Sequence, residues 1–143
     1  MNDGKLIGQG FSVIKVDAPS SGVVRYLKTP QDVLRLVKEG NISETVVMAR
    51  AGTVTFVGPV LPRKPAGIIT IEGMPQSHLG ILAREFGVPA VMSIQLADST
   101  VERLSPSGVT REEYVNHVAE TLDGRHVVVD CSDPQTGRLF AAD

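Results

Sequence analysis

The chain has 143 residues, of which 42% are hydrophobic and 4% aromatic, with no tryptophan. This length and composition predict a single domain, residues 1–143, with a core built from aliphatic side chains, and they argue against a disordered chain. The net charge is −2, and among the scattered basic residues only Arg63 and Lys64 are adjacent. No basic patch is visible, so nucleic acid is excluded as an expected partner.

Two further observations concern the expected cellular compartment and whether a membrane partner is expected. The longest apolar run, Ala66–Ile71, is far too short to cross a bilayer, so no membrane partner is expected. The single cysteine, Cys131, cannot form an internal disulfide, and a chain with so little cysteine is expected to be cytoplasmic. The histidines and the cysteine do not share metal-ligand spacing, so no metal site is expected.

Short β-branched runs, punctuated by Gly, Pro, Ser and Asp, predict eight strands. They are Phe11–Val16, Val23–Leu27, Thr45–Ala49, Thr53–Val57, Ile68–Ile71, Ala90–Met92, His126–Asp130 and Arg138–Phe140. Residues 1–8 are expected to be frayed. Together with three predicted helices, these strands indicate a mixed α/β domain.

Capping residues define the helices. Thr29, followed by a proline, begins the first helix, and Gly40 ends it. Ser77 begins the second, and Gly87 ends it in a left-handed conformation. A capping box that starts at Thr110 precedes a third helix with one apolar stripe. This third helix lies in a polar insertion, residues 93–121, and is a candidate subunit contact.

His78 is the candidate functional residue. It follows a Gly/Pro turn and begins the second helix, at the edge of that helix's buried face, where an imidazole is presented to another molecule. The first amides of a helix lack intrahelical partners and carry a partial positive charge, which suits a phosphoryl group. The Ser77 hydroxyl is a further donor. Since neutral imidazole is a nucleophile near neutral pH, these residues suit a transiently phosphorylated histidine, although a histidine at a helix start is also a common surface or capping residue.

The segment Glu72–Val91 resembles the phosphohistidine swivelling domain of the phosphoenolpyruvate-utilising enzymes, whose usual pattern is E-G-G-x-T-(S/C)-H-x-A-I-x-A-R-E-x-G-(I/V)-P-A-V. That family includes pyruvate phosphate dikinase, phosphoenolpyruvate synthase, the sugar-phosphotransferase enzyme I and rifampin phosphotransferase. Downstream, Leu122–Phe140 resembles the family's closing pattern L-x-D-G-x-x-V-x-V-D…G-x-V. The likeness covers roughly residues 66–92 and 122–140.

The resemblance implies a single swivelling β/β/α domain with a mixed sheet and about three helices. It implies that His78 carries the phosphoryl group, with Gly73, Gln76 and Ser77 as phosphate-supporting residues. The chain itself is then expected to bind no cofactor and to show no turnover alone. ATP and Mg²⁺ belong to a nucleotide-binding partner domain or subunit, and a second partner binds phosphoenolpyruvate or another acceptor.

Three positions depart from the family pattern. Met74 replaces the second glycine, Gln76 replaces threonine, and Gly80 replaces alanine, which weakens the helix by about 1 kcal/mol. Arg84 is expected to be a structural ion-pair partner, and Glu72 is a candidate to face the site. A non-phosphorylated interaction or lid subunit is therefore the alternative function. An enzyme acting alone is disfavoured, since no second catalytic group accompanies His78, and the final acceptor is left open.

Overall fold

The computed structural model describes residues 4–51, 57–97 and 99–142. The seven strands in these ranges, β1 to β7 in chain order, are Leu6–Ser12, Ser20–Tyr26, Thr45–Ala51, Gly67–Glu72, Ala90–Leu96, His126–Asp130 and Thr136–Ala141. The helices α1 to α3 are Pro30–Glu39, His78–Phe86 and Glu112–Leu122, and two 3₁₀-helices are Ile42–Glu44 and Gly58–Arg63. Within those ranges no helix is both long and apolar enough to cross a membrane.

The strands form one closed barrel in the order β1-β5-β4-β3-β2-β6-β7, with β7 returning to β1. Strands β2 to β5 pair in parallel, and β1, β6 and β7 complete the barrel through antiparallel pairs. The sheet is therefore mixed, as expected, but the sequence prediction did not include its closure. Closure matters because it leaves no free edge in the sheet.

Two apolar clusters cover the two faces of the parallel strands. Alternate residues of β3 divide between them: Val46 and Met48 join the interior cluster, while Val47 and Ala49 join the outer one. The outer cluster is completed by α1, α2 and the second 3₁₀-helix. Because Val46–Ala49 of β3 are buried on both faces of the sheet, these four residues are all apolar rather than alternating with polar ones.

Two sequence expectations about element positions are wrong, and a third lies almost wholly outside the described residues. Leu6–Gly8 are not frayed but belong to β1, which lies N-terminal to the predicted Phe11–Val16 and pairs on both sides. Strand β5 continues to Leu96, so residues 93–96 belong to the barrel rather than to an insertion. The strand predicted over Thr53–Val57 stays a prediction, because residues 53–56 lie outside the described residues; its last residue, Val57, is in a turn.

Helix α3 differs from expectation at its start and in its role. Its N-cap is Arg111 without a side-chain cap, whereas Thr110 forms an isolated bridge with Leu104. The predicted apolar stripe is present, but Tyr114 and Val118 are buried in the interior cluster of this same chain. The stripe is therefore not available as a subunit contact.

Helix α1 begins as the sequence predicts, and its first turn is reinforced by a carboxylate. The Thr29 hydroxyl accepts from the Asp32 amide at 3.3 Å, and Asp32 Oδ2 accepts from the amides of Lys28 and Thr29 at 2.9 and 3.1 Å. The Lys28 amide, as the largest cause, lowers the pKa of the Asp32 carboxyl. Gly40, with a φ of 79°, closes the helix.

We expect Asp32→Ala to lower the free energy of unfolding at neutral pH by about 1 kcal/mol, since it removes a helix cap. Because the pKa of Asp32 is lowered in the folded state, its contribution is present above the ordinary aspartate pKa and is lost as pH falls through the folded value. The difference between variant and wild type in urea unfolding should therefore shrink as pH falls below the ordinary aspartate pKa. Gln31→Ala, an exposed neighbour, is the control. A difference that stays constant with pH would contradict the carboxylate's role.

Candidate functional site

His78 is the first residue of α2 and follows the turn Gly73–Ser77 that leaves β4. Gly73 has a φ of 109°, a backbone conformation that glycine adopts without strain. At the end of the turn the Ser77 amide donates to the Met74 carbonyl at 2.9 Å. The turn carries the chain from a buried strand to the surface, and the His78 side chain is exposed there.

The backbone around His78 offers hydrogen-bond donors. Ser77 caps the helix, its hydroxyl accepting from the Gly80 amide at 3.4 Å and its carbonyl from the Ile81 amide at 3.0 Å. The amides of His78 and Leu79 donate to no protein group in the part of the chain that the structure describes. These two N–H groups and the Ser77 hydroxyl proton lie at the positive end of the helix, so they can donate to an anionic group beside the imidazole.

The other two predicted site residues lie in the same turn. Gln76 is exposed, and its side chain makes no hydrogen bond to the residues described. Gly73 begins the turn, and its carbonyl accepts a hydrogen bond from the hydroxyl of Ser93. What Gly73 can offer to an anion is therefore its amide. The four predicted site residues thus lie within the turn Gly73–Ser77 and at the first position of the helix that follows it.

Ser93 is a site-supporting residue that sequence reasoning missed. It has a positive φ of 54° and sits where β5 bulges. Between the pairs Gln9–Gln95 and Phe11–Met92, strand β5 has one residue more than β1. An extra residue in one strand redirects a side chain, and bulges of this kind are frequent beside functional sites.

The bulge ties the turn before α2 to the barrel. The Ser93 amide donates to the buried Thr70 hydroxyl at 3.2 Å, and the Ser93 hydroxyl donates to the Gly73 carbonyl. A polar residue inside the otherwise apolar run Ala90–Ile94 was the available signal. The sequence prediction instead took Ser93 as the start of a loop or an insertion, because the stretch Ser93–Val109 is polar.

A family model for the PEP-utilising enzyme, mobile domain, matches residues 42–133. The chain belongs to this family. No curated protein matches the chain significantly. The match runs from the 3₁₀-helix before β3 to the loop after β6, so it includes the whole His78 turn. In this family the mobile domain is a phosphoryl carrier in transferases that act through several domains, and that role applies to this chain at the level of the family.

Gly80 departs from the family's usual alanine, and the geometry of this mobile domain gives the reason. A Cβ atom at Gly80 would lie 2.3 Å from the Pro75 carbonyl oxygen, which is closer than real contacts allow. The turn before His78 thus sits directly against the first turn of α2. Glycine weakens the helix locally, but here it permits that approach.

We expect Gly80→Ala to lower the free energy of unfolding of the mobile domain by about 1 kcal/mol or more, since overpacking commonly costs about 1–3 kcal/mol and exceeds the gain in helix propensity. The control is Gly58→Ala, whose Cβ would meet Leu82 Cδ1 at an ordinary 3.6 Å. Urea unfolding measures both variants. Stabilisation of Gly80→Ala, as propensity alone predicts, would contradict the close approach of the turn.

Two charged residues near the site have different partners from those expected. Arg84 forms no ion pair with a described residue; its Nε donates to the Val13 carbonyl at 3.0 Å, so the ion-pair prediction is wrong. Glu72, at the end of β4, lies 3.7 Å from Arg50 Nε, and Arg50 also binds Glu112. The Glu72 carboxylate is thus engaged by Arg50, on the neighbouring strand.

The remaining reactive side chains of the mobile domain offer no alternative centre. Cys131 is buried, its thiol donates to the Ala90 carbonyl at 3.6 Å, and burial raises the pKa of the thiol. His126 is exposed at the start of β6. Within the described ranges, no three His, Cys, Asp or Glu side chains are grouped as metal ligands. His78 therefore stays the candidate reacting group.

Proposed function

We propose that this mobile domain relays a phosphoryl group on His78 between a nucleotide-binding partner, which holds ATP and Mg²⁺, and an acceptor-binding partner. The observation that carries the proposal is the exposed imidazole at the first position of α2, in a chain of this family. An exposed side chain at a helix end can be reached by two different partners in turn. The relay then depends on one side chain, the His78 imidazole, rather than on the domain as a whole.

Each half of the relay is an in-line displacement at phosphorus. In the first, an imidazole nitrogen of His78 forms a bond to the donor phosphorus as the bond to the donor's leaving oxygen breaks. In the second, the acceptor atom attacks the same phosphorus, and the N–P bond breaks to return neutral imidazole. Such transfers depend mainly on positioning and charge neutralisation. The partner sites supply much of both.

This chain's own contribution is to hold the transferred phosphoryl oxygens. The donors beside the imidazole are the Ser77 hydroxyl and the amides of His78 and Leu79, which donate to no described residue. Gln76, which stands where the family usually has threonine, offers amide hydrogens in place of a hydroxyl, and Gly73 offers its backbone amide. Ser93 fixes the turn through the Gly73 carbonyl. These donors act together with the positive end of the helix.

The test is phosphate mapping after the full chain is mixed with ATP, Mg²⁺ and its cognate nucleotide-binding partner. We expect an acid-labile phosphate on His78, found by mass spectrometry at neutral or alkaline pH, and none on the chain incubated with ATP alone. A swivelling domain of a well-behaved phosphotransferase, treated with its own partner, is the positive control. An unlabelled chain beside a labelled control would overturn the relay.

The second candidate function is a partner-binding subunit or lid that is never phosphorylated. It is favoured by two large apolar side chains next to His78, Met74 and Ile81, each 48% exposed. Both face solvent in the isolated chain and suit a docked partner. Partner binding without phosphate on His78 would establish this function. If a gene for a nucleotide-binding domain lies beside the gene for this chain, that arrangement would favour the relay instead.

A further inference from the structure

A groove of about 580 Å³ lies on the barrel wall next to the turn that precedes α2. Strands β1 and β5 and the loop between β6 and β7 form it, and Pro75 and Ser93 belong both to the groove and to the support of the His78 turn. Its volume is within the range that small-molecule sites occupy. The proposed relay assigns no ligand to this groove.

The charge of the groove is positive. Arg103 is the charged residue in its lining, which has no carboxylate among the described residues. The Arg103 Nε donates to the Gln95 side-chain oxygen at 3.2 Å, and the guanidinium forms no ion pair with any residue in the described ranges. The neighbouring Glu102 lies instead 3.4 Å from Arg111. A guanidinium that is held by an amide and has no counter-ion among the described residues is suited to bind an anion.

A second carboxylate that neighbours the groove lining in sequence is also engaged. Asp133 precedes the lining residues of the β6–β7 loop, and its carboxylate accepts from the amides of Gln135 and Thr136 at 2.8 and 3.1 Å. The Gln135 amide, as the largest cause, lowers the pKa of that carboxyl. Asp133 therefore serves the turn of its own loop and leaves the Arg103 guanidinium to an external group.

The opposite part of the lining is apolar. The Phe11 side chain is 45% exposed although it lies in a barrel strand, and Pro75 and Pro134 flank the same groove. An exposed aromatic ring that lines the same groove as a cation without an ion pair to any described residue matches a molecule with an apolar body and an anionic end. The side-chain amides of Gln9 and Gln135 add neutral donors to the lining.

We propose that this groove binds a small organic anion, a carboxylate or phosphate ester with an aromatic or other apolar body. Arg103 holds the anionic group through its guanidinium, with Gln95 fixing the orientation of that side chain. Phe11 and the two prolines contact the apolar body. Binding here does not depend on phosphorylation of His78.

The experiment titrates the unphosphorylated, ¹⁵N-labelled full chain at constant ionic strength with three probes: benzoate, phenyl phosphate and inorganic phosphate. We expect the backbone amide chemical shifts of Gln9–Ser12 and Gln135–Thr136 to change and saturate with benzoate, phenyl phosphate or both. Comparison of benzoate with phenyl phosphate distinguishes a carboxylate ligand from a phosphate ligand. Arg103→Gln should weaken the binding about tenfold or more, since it removes a charged hydrogen bond. Arg103→Lys should weaken it less, because charge is kept while the planar fork is lost.

Three controls separate the groove from general charge effects and from the relay. Arg63→Gln, an exposed arginine outside the groove, should leave the affinity unchanged. Phe11→Ala should weaken the binding of phenyl phosphate more than the binding of inorganic phosphate. His78→Gln should bind like wild type, so failure of the relay and failure of this site are distinguishable. The proposal is overturned if the shifts do not saturate, or if Arg103→Gln or, where that variant does not fold, Arg103→Lys binds as wild type does.

Discussion

Replacing His78 with glutamine is expected to remove all acid-labile phosphate from the mobile domain while leaving its fold intact. In the proposed relay the imidazole nitrogen is the atom that bonds to phosphorus, and a glutamine amide is not a nucleophile at neutral pH. Labelling with ATP and the cognate nucleotide-binding partner should therefore fall to the level seen without that partner. The measurement is phosphopeptide mapping at a pH where phosphohistidine survives.

The fold should tolerate this change because the His78 side chain is exposed and caps nothing. Surface substitutions of this kind usually alter stability by about 0.5 kcal/mol or less, so the unfolding temperature should move by no more than about 2–4 °C. The cap itself is made by Ser77, which the variant keeps. An unchanged unfolding temperature is thus the internal check that lost labelling reports chemistry.

His126 supplies the matched control, since it is also exposed but begins strand β6, remote in sequence from the α2 turn. His126→Gln should be labelled as wild type is. Full labelling of His78→Gln would show that another residue carries the phosphate, and it would refute the assignment to His78. Loss of labelling in His126→Gln, with His78 intact, would refute it as well, because the donor would then depend on a surface the relay does not use.

Local signals in the sequence were sufficient for most of the elements that position the site. Strand β6 matches its predicted bounds, and the caps at Thr29, Gly40, Ser77 and Gly87 occur as predicted. Each of these signals acts within one turn of helix or one short strand. The side chain or the φ angle that ends the element is encoded in the residue itself, so no knowledge of distant segments is needed.

Features that depend on distant segments could not be predicted in the same way. Strand β1 is built from Leu6–Ser12, where two glycines interrupt any alternating pattern, and it is stabilised by pairing with β5 and β7 far along the chain. Pairing of that kind leaves no mark on the local sequence. The Ser93 bulge is similar, because its meaning comes from Gly73 on another element. Closure of the barrel follows from the same long-range pairs.

The residues of the site likewise divide into those that local sequence explains and those that only a contact in the folded structure explains. The position of His78 after a turn and at a helix start follows from Gly73, Pro75 and Ser77, which are neighbours in sequence. The reason for Gly80 does not: by propensity alone it is a weak point, and only the contact with the Pro75 carbonyl explains it. The turn could thus be predicted from the sequence, whereas the role of Gly80 in the helix that follows it could not.

Replacing Tyr114 with alanine is expected to destabilise the domain more than any substitution discussed above, by about 4 kcal/mol. Tyr114 is fully buried in the interior cluster, to which α3 contributes its apolar stripe. Its hydroxyl donates to the Ile94 carbonyl at 2.6 Å and accepts from the Leu96 amide at 3.2 Å, both on β5. The ring fills the core, and the hydroxyl joins α3 to the barrel wall.

The two contributions are separated by Tyr114→Phe, which keeps the ring and removes the hydroxyl. The Leu96 amide and the Ile94 carbonyl then lose a buried partner, a loss that costs about 1–3 kcal/mol. Urea unfolding should give the order wild type, Tyr114→Phe, Tyr114→Ala in decreasing stability. Burial, as the largest cause, also raises the pKa of Tyr114, so its neutral form is favoured in the folded state. Stability from this group is present below the ordinary tyrosine pKa and is lost as pH rises, and Tyr114→Phe should lack that loss.

Tyr26 is the other tyrosine of the chain and provides the control. Its ring is half-buried, and its hydroxyl makes no hydrogen bond to a residue that the structure describes. Tyr26→Phe should therefore unfold within about 0.5 kcal/mol of wild type. Equal effects of the two Tyr→Phe changes would show that the Tyr114 hydroxyl does not bridge α3 and β5. A small effect of Tyr114→Ala would place α3 outside the core, as a peripheral insertion after all.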